Sequence, residues 1–513
     1  MVVLCAGCSV TAPRQTTDSA VAADAGVPAC QAWYTRLDHA TDQAGLRDGA
    51  APPVPGHPFL RVDRYHASLR DRLPASADAQ SAAPARAALM ARLLALDLQA
   101  RRHEIANLPP LIRATLARAP DGPADSSGLL QHTSACGQLL VRAALAQPTR
   151  AHALLLALSV PPDYVTAYRV LGLYPLTRIP FLHGVRRFED TIRTSFRQDP
   201  VPDPSASRLL LVPPWRPAPE QVTHARLRAM LQPSPHDPLG IAEPTPAEQE
   251  ILFAHFAPSF DLGVRSNDDR PGALVWPERT TTARRQDAAP VLDIDQPVVY
   301  RQLAWTRHGQ ASLLQLVYTI WFGARPPTSW PIDLLAGRLD GLIWRVTLSP
   351  DGVPVMYDSI HPCGCYHQFF PPSWVQPRPA PDAWAEWAFS PAPAPDLAPG
   401  RQLVLHVAPV THYLSRVDAR MQPAGTPYGW RDYDALRSLP TPDGARRSLF
   451  DAHGFIAGTD RAEAWLFWPM GIARAGAMRQ WGRHATAFVG RRHFDDAHLI
   501  EQRFVLAAPP SDP

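Results

Sequence analysis

Between residues 361 and 367 the chain reads His-Pro-Cys-Gly-Cys-Tyr-His, so His361, Cys363, Cys365 and His367 fall at every second position. Two imidazoles and two thiols are a fitting donor set for tetrahedral zinc or a soft copper centre. The spacing works against this in an extended strand, where next-but-one side chains stand about 6.6 Å apart and share one face. Four such donors reach one ion only if the chain curls. Pro362 removes a ladder donor and Gly364 allows a sharp bend, so curling is available. A second chemistry is a Cys363–Cys365 disulfide, whose small ring would be strained and readily reduced. A third reading is structural, a turn whose histidines and Tyr366 satisfy local backbone groups. Asp358, just upstream, is placed to orient an imidazole.

A basic cluster lies at 479–498, where Arg479, Arg483, Arg491 and Arg492 accompany His484, His493, Asp495 and Asp496. Guanidinium groups so gathered can hold a phosphate or an acidic glycan, or pair with the neighbouring carboxylates. His493-Phe494-Asp495 has the spacing of a facial iron triad, but His498 is too close to complete it. His308, His406, His412 and Arg325 are further groups that the fold could bring to the 361–367 turn.

Several chemistries are excluded. The chain contains no lysine, since its 50 basic residues are all arginine. Schiff-base catalysis, pyridoxal-phosphate attachment and phosphate-loop chemistry therefore have no nucleophile or cation to use. G-x-S-x-G and G-x-G-x-x-G are absent, and His103-Glu104-Ile105-Ala106-Asn107 lacks the second histidine of a zincin. A formal net charge of +3 gives no electrostatic footprint for nucleic acid.

The elements that must position these groups fall into two halves. Residues 30–198 carry helical periodicity, clearest from Pro84 to Asn107, where Leu89, Leu93 and Leu96 share a face. Two further helical pieces follow, broken at Pro148 and stopped at Pro161-Pro162. The apolar run from Tyr168 to Phe188, punctuated by Pro175 and Pro180, is expected to pack between domains through Tyr168, Tyr174, Phe181 and Phe188. Residues 199–290 are proline-laden and read as a connecting region with some regular structure.

From 291 to 513 the period changes to that of strands. Residues 298–309 and 311–326 read as a hairpin about His308-Gly309-Gln310. Residues 340–348 alternate and return through Ser349-Pro350-Asp351-Gly352 into a partner strand at 353–360. A proline- and tryptophan-rich loop spans 371–400, and 401–417 supply more strand. The sequence thus predicts an α+β protein, with a helical N-terminal domain followed by an antiparallel β-rich C-terminal domain, a sandwich or an open sheet.

The first nine residues, Met-Val-Val-Leu-Cys-Ala-Gly-Cys-Ser, place Ala6-Gly7-Cys8 after a short apolar run. This resembles the lipobox of bacterial lipoproteins, with Cys5 where that family usually has leucine. The resemblance implies acylation of Cys8, a signal completed upstream of Met1, a flexible tether over 9–29, and sorting by Ser9 to the outer membrane. No run of about 20 apolar residues predicts a spanning helix. In an oxidising periplasm Cys30 and Cys136 are a natural disulfide pair. The functional expectation is a lipid-anchored envelope protein on the periplasmic face of the outer membrane, binding an envelope partner or a small-molecule ligand. The alternative is a zinc- or thiol-dependent enzyme centred on the 361–367 turn.

Overall fold

The computed structural model describes residues 18–74, 82–198, 203–278, 289–329, 331–397, 400–421 and 424–507. Cys5 and Cys8 lie outside them. The N-terminal half is helical as expected. Its principal helices are α1 (Asp18–Gln43), α2 (Ala82–Asn107), α3 (Leu129–Leu145), α4 (Thr166–Leu171) and α5 (Tyr174–Arg197). α1 starts inside the segment read as a tether, so residues 18–29 are helical rather than a free leash. Trp33, Tyr34 and Leu37 of α1, Leu89 and Leu93 of α2, and Leu140 of α3 are buried in one core. A Cys30–Cys136 disulfide staples α1 to α3, which is the pairing the sequence suggested.

Charge is buried beside this core. Arg61 reaches Glu104 at 2.6 Å and Asp97 at 3.3 Å, and Arg101 reaches the same two acids at 3.0 and 3.2 Å. The four side chains are almost wholly buried, so each charge depends on its partners. Glu104, the acid of the incomplete zincin motif, is therefore part of a structural ion cluster.

The C-terminal half is built on two open sheets. In chain order the strands are β1 (Ser207–Val212), β2 (Ser259–Val264), β3 (Val298–His308), β4 (Ala311–Arg325), β5 (Gly337–Leu348) and β6 (Pro354–Ile360). They continue as β7 (Gln368–Phe370), β8 (Arg401–Val407), β9 (Leu414–Met421), β10 (Thr426–Pro427) and β11 (Gly429–Asp432). One sheet has the order β7-β6-β5-β4-β3-β11 and is antiparallel except for the β3–β11 pair. The other has the order β9-β8-β2-β1-β10, with parallel β2–β8 and β1–β10 pairs. Leu211, Phe260 and Leu262 of the second sheet share a core with Leu316, Trp344 and Val346 of the first. The two-residue turn at Gly309-Gln310 and the Ser349–Val353 turn fall where the sequence placed them.

Two expectations change. Residues 199–290 are more than a connector, because β1 and β2 lie inside the five-stranded sheet and β2 is buried along its length. The prolines described in this segment lie outside its strands, two of them, Pro219 and Pro246, at helix starts, while Ser207–Val212 and Ser259–Val264 contain none. α5 runs unbroken for 24 residues through Pro180. Pro175 occupies its first turn, where the missing N–H would be unpaired anyway, and Pro180 falls on an exposed face of the helix. Among the described residues no helix is long and apolar enough to cross a membrane.

Candidate functional site

The 361–367 segment is the loop joining β6 to β7, and it does curl. The His361 amide donates to the Cys365 carbonyl at 3.0 Å, and the Gly364 amide donates to the His361 carbonyl at 2.8 Å. Gly364 has φ +90°, and a Cβ there would stand 2.5 Å from the Ala485 carbonyl oxygen. Only glycine fits that approach. Tyr366 is also left-handed, at φ +61°, so the loop is bent at two places close together.

The bend separates the donors instead of gathering them. The His361 ring Nδ1 lies 3.1 Å from Asp340, while the His367 ring Nε2 lies 2.9 Å from Asp358. Asp358 does orient an imidazole, as anticipated, but that imidazole faces Arg345, whose Nε donates to the same carboxylate at 2.9 Å. The Cys363 sulfur accepts from the Cys365 amide at 3.4 Å, and both thiols are free. Among the described residues no group of three or more His, Cys, Asp or Glu is arranged to hold a metal ion. The four-donor centre of His361, Cys363, Cys365 and His367 is therefore not assembled, because the two rings are drawn to different buried carboxylates.

Asp340 is the hub beneath the loop. It takes His361 on one oxygen and His412 Nδ1 on the other at 3.0 Å, with Arg461 at 3.5 Å. His412 also lies 3.3 Å from Asp269 and stacks on Phe322 with ring centres 4.0 Å apart. Burial alone would raise Asp340, but His361 and Arg461 hold it well below the usual carboxylate range. Burial lowers His412, yet its two carboxylate neighbours win and its pKa is raised. His406, by contrast, serves the other sheet, pairing with Asp261 at 3.1 Å and Asp418 at 3.0 Å.

Above the loop lies a cavity of about 600 Å³. Cys363 to Gln368 form its floor, and Pro180, Phe181, Gly184, Val185 and Phe188 of α5 form one wall. The opposite side is closed by Leu466, Phe467, Ile472 and Phe488. The wall is largely apolar, and a volume of this size suits one small ligand. Phe188 lies 5.2 Å from Tyr366 and 5.7 Å from Tyr413, ring centre to ring centre, which ties α5 to the floor. Phe181 and Phe188, expected only to pack between domains, thus line a space.

Three carboxyls border this cavity, and all titrate high. Burial raises Glu463 to about 7, with Arg461 and Arg325 too weak to reverse it. Burial and then Glu386 raise Glu189 to about 7. Burial also raises Glu386, although it accepts from the Phe488 and Val489 amides at 2.7 and 2.8 Å. Glu463 lies against Gly476, where a Cβ would meet its carboxyl oxygen at 2.0 Å. Cys365 is a poor nucleophile here: the hydrogen bond to Cys363, and then burial, push it well above its ordinary value. The sequence reading missed these acids. Their signal was slight: the i, i+4, i+7 spacing of Phe181, Val185 and Phe188, with Glu189 next to the last.

The arginine cluster does not form an anion site. Arg479 is buried and donates to the carbonyls of Cys363, Ala473 and Arg474. Arg483 donates to the Gly49 carbonyl and to Asp163. Arg492, at the edge of the cavity, donates to the Trp387 and Thr486 carbonyls and to the Thr486 hydroxyl. These three hold loops together. Arg491 alone is exposed.

A second cavity, of about 570 Å³, lies between the helical half and the β3 edge. It is bordered by His66, His103, Arg301, Asp434 and Arg437. Arg301 is paired with Glu250, and Arg437 with Asp48 and Asp434, so its charges serve one another.

Fold and site together define a structural class, an α+β protein with an apolar cavity walled by a surface helix and floored by a β6–β7 loop. No family model, no curated protein and no solved structure matches the chain.

Proposed function

We propose that the protein is an envelope protein that binds an apolar small molecule in the α5 cavity. In this reading it is acylated at Cys8 and held on the periplasmic face of the outer membrane. The observation that carries the ligand is the cavity of about 600 Å³ with a largely apolar wall. Burial raises all three of its acids, so the site disfavours charge and suits a neutral guest such as an acyl or aromatic body. The anchor rests on the lipobox-like Ala6-Gly7-Cys8, and the Cys30–Cys136 disulfide favours an oxidising compartment. The alternative, a metal- or thiol-dependent enzyme on the same loop, is weakened by the separated imidazoles and the high-titrating Cys365.

The test is equilibrium binding of the neutral fluorophore N-phenyl-1-naphthylamine to the purified full chain. Saturable binding at one site is expected. Gly184 borders the cavity, and a Cβ there meets nothing within 4 Å, so Gly184→Trp fills the space without displacing backbone. It should abolish binding and leave the melting temperature unchanged or higher. Equal binding by the wild type and Gly184→Trp would refute the cavity as the site.

A further inference from the structure

α5 carries an outward apolar surface that its own fold leaves uncovered. Val170, Leu171, Leu173, Leu176 and Ile179, on α4 and the start of α5, are 68, 74, 62, 66 and 47% exposed. A short helix, α6 (Ala464–Phe467), adds Trp465, which is 83% exposed. These segments form one tip. The Tyr168 and Trp468 rings meet at 6.2 Å, the Phe181 and Phe467 rings meet at 5.4 Å, and Arg169 of α4 donates to the Met470 carbonyl at 2.8 Å. Large apolar side chains so exposed and so close together mark an interaction surface.

Arginines stand at the tip and further along α5, while Glu463, which precedes α6, is buried. Arg178 and Arg187 on α5 and the exposed Arg491 have no carboxylate partner among the described residues. Arg491 is held beside α4, because the Gly490 carbonyl accepts from Arg169 at 2.6 Å. Asp190, the exposed acid of α5, is engaged by Arg193 at 2.6 Å. Leucines and a tryptophan with unpaired guanidinium groups nearby match a bilayer interface with anionic headgroups, where apolar side chains enter the acyl boundary and cations stay at the phosphates.

We infer that the tip formed by α4, the start of α5 and α6 docks on the surface of an anionic lipid bilayer. This goes beyond the proposed ligand site and is independent of any acyl group at Cys8. It also joins the two: α5 shows Leu176 and Ile179 to the outside and Phe181, Val185 and Phe188 to the cavity. A bilayer at the tip therefore lies against the wall of the cavity, and an apolar guest has a short path between them.

The experiment is flotation of the full chain carrying Cys8→Ser, which removes any acyl group at that position. The vesicles are phosphatidylcholine alone, or phosphatidylcholine with phosphatidylglycerol. Flotation is expected with the anionic vesicles, weaker with the zwitterionic ones, and reduced by salt. Leu171→Glu combined with Leu176→Glu should weaken it by about tenfold or more at an unchanged melting temperature, because both side chains are exposed. Gly184→Trp should float like the parent, so a failure of the ligand reading is told apart from a failure of the docking surface. The inference is overturned if the parent does not float with anionic vesicles, or if the double variant floats equally well. It is also overturned if the parent is a lipid-free dimer that the double variant converts to monomer, since the tip would then face a second copy of the chain.

Discussion

Glu463→Gln tests the character of the cavity floor. The side chain is 2% exposed, and burial raises its pKa from 4.5 to about 7. The folded state therefore holds this proton more tightly than the unfolded chain does. Below pH 4.5 both states are protonated and the group contributes nothing. As the pH rises from 4.5 to 7 the unfolded chain ionises first and stability falls. Above 7 both states are ionised, and the folded state carries the full cost of a buried carboxylate. The difference between 4.5 and about 7 corresponds to about 3 kcal/mol. Glutamine has nearly the same shape and does not titrate, so Glu463→Gln should match the wild type near pH 4.5 and exceed it by about 3 kcal/mol at pH 8. For a chain of 513 residues the unfolding entropy is about 1 kcal/mol/K, which makes the gain about 3 °C in Tm. The assay is thermal and urea unfolding of both proteins from pH 4.5 to 8. Only their difference is read, since Glu189 titrates in the same window. Parallel curves across that range would refute a high-titrating acid at the cavity floor, and with it the weakly charged character of the site.

Two further outcomes follow from other parts of the molecule. The Cys30–Cys136 bridge closes a span of 106 residues, and on loop-closure entropy its reduction should cost about 4–5 kcal/mol of the helical half's stability. Urea unfolding followed by far-ultraviolet circular dichroism, with and without dithiothreitol, measures this, and coincident curves would contradict it. Cys365, pushed well above its ordinary value, should be alkylated by iodoacetamide at pH 7 about tenfold more slowly than a free cysteine. Peptide mass spectrometry of the native and urea-unfolded chain reads the rate, and rapid native labelling would revive the thiol-enzyme alternative.

The signals that could be read in the sequence were local ones. β3 to β6 announce themselves because each hairpin closes within a few residues, at Gly309-Gln310 and at Ser349–Gly352, and the two-residue period then sets which side chains share a face, although β4 to β6 are buried on both faces. α2 is legible for the same reason, with its leucines repeating on one face up to Asn107. The places of β1 and β2 are not. β2 pairs in parallel with β8, so Phe260 finds Leu405 145 residues along the chain, and no neighbouring residue encodes that choice. Proline density misled there because it reports the loops and not what the loops connect.

The site shows the same division more sharply. That 361–367 could bend was written in Pro362 and Gly364, and the bend is present. Which way the imidazoles turn was not written there, because Asp340 competes for His361 from β5 and Asp358 holds His367 from β6. A carboxylate buried in apolar surroundings attracts a nearby imidazole strongly, whatever spacing the imidazoles have along the chain. Donor spacing can propose a metal site, but the second partner of each donor decides whether it forms. Here those partners draw the two rings apart, so that His361 leaves the cavity floor while Cys363, Cys365, Tyr366 and His367 still border it. The four-donor pattern thus becomes the apolar floor of a cavity, and chemistry at this place depends on what α5 admits from above.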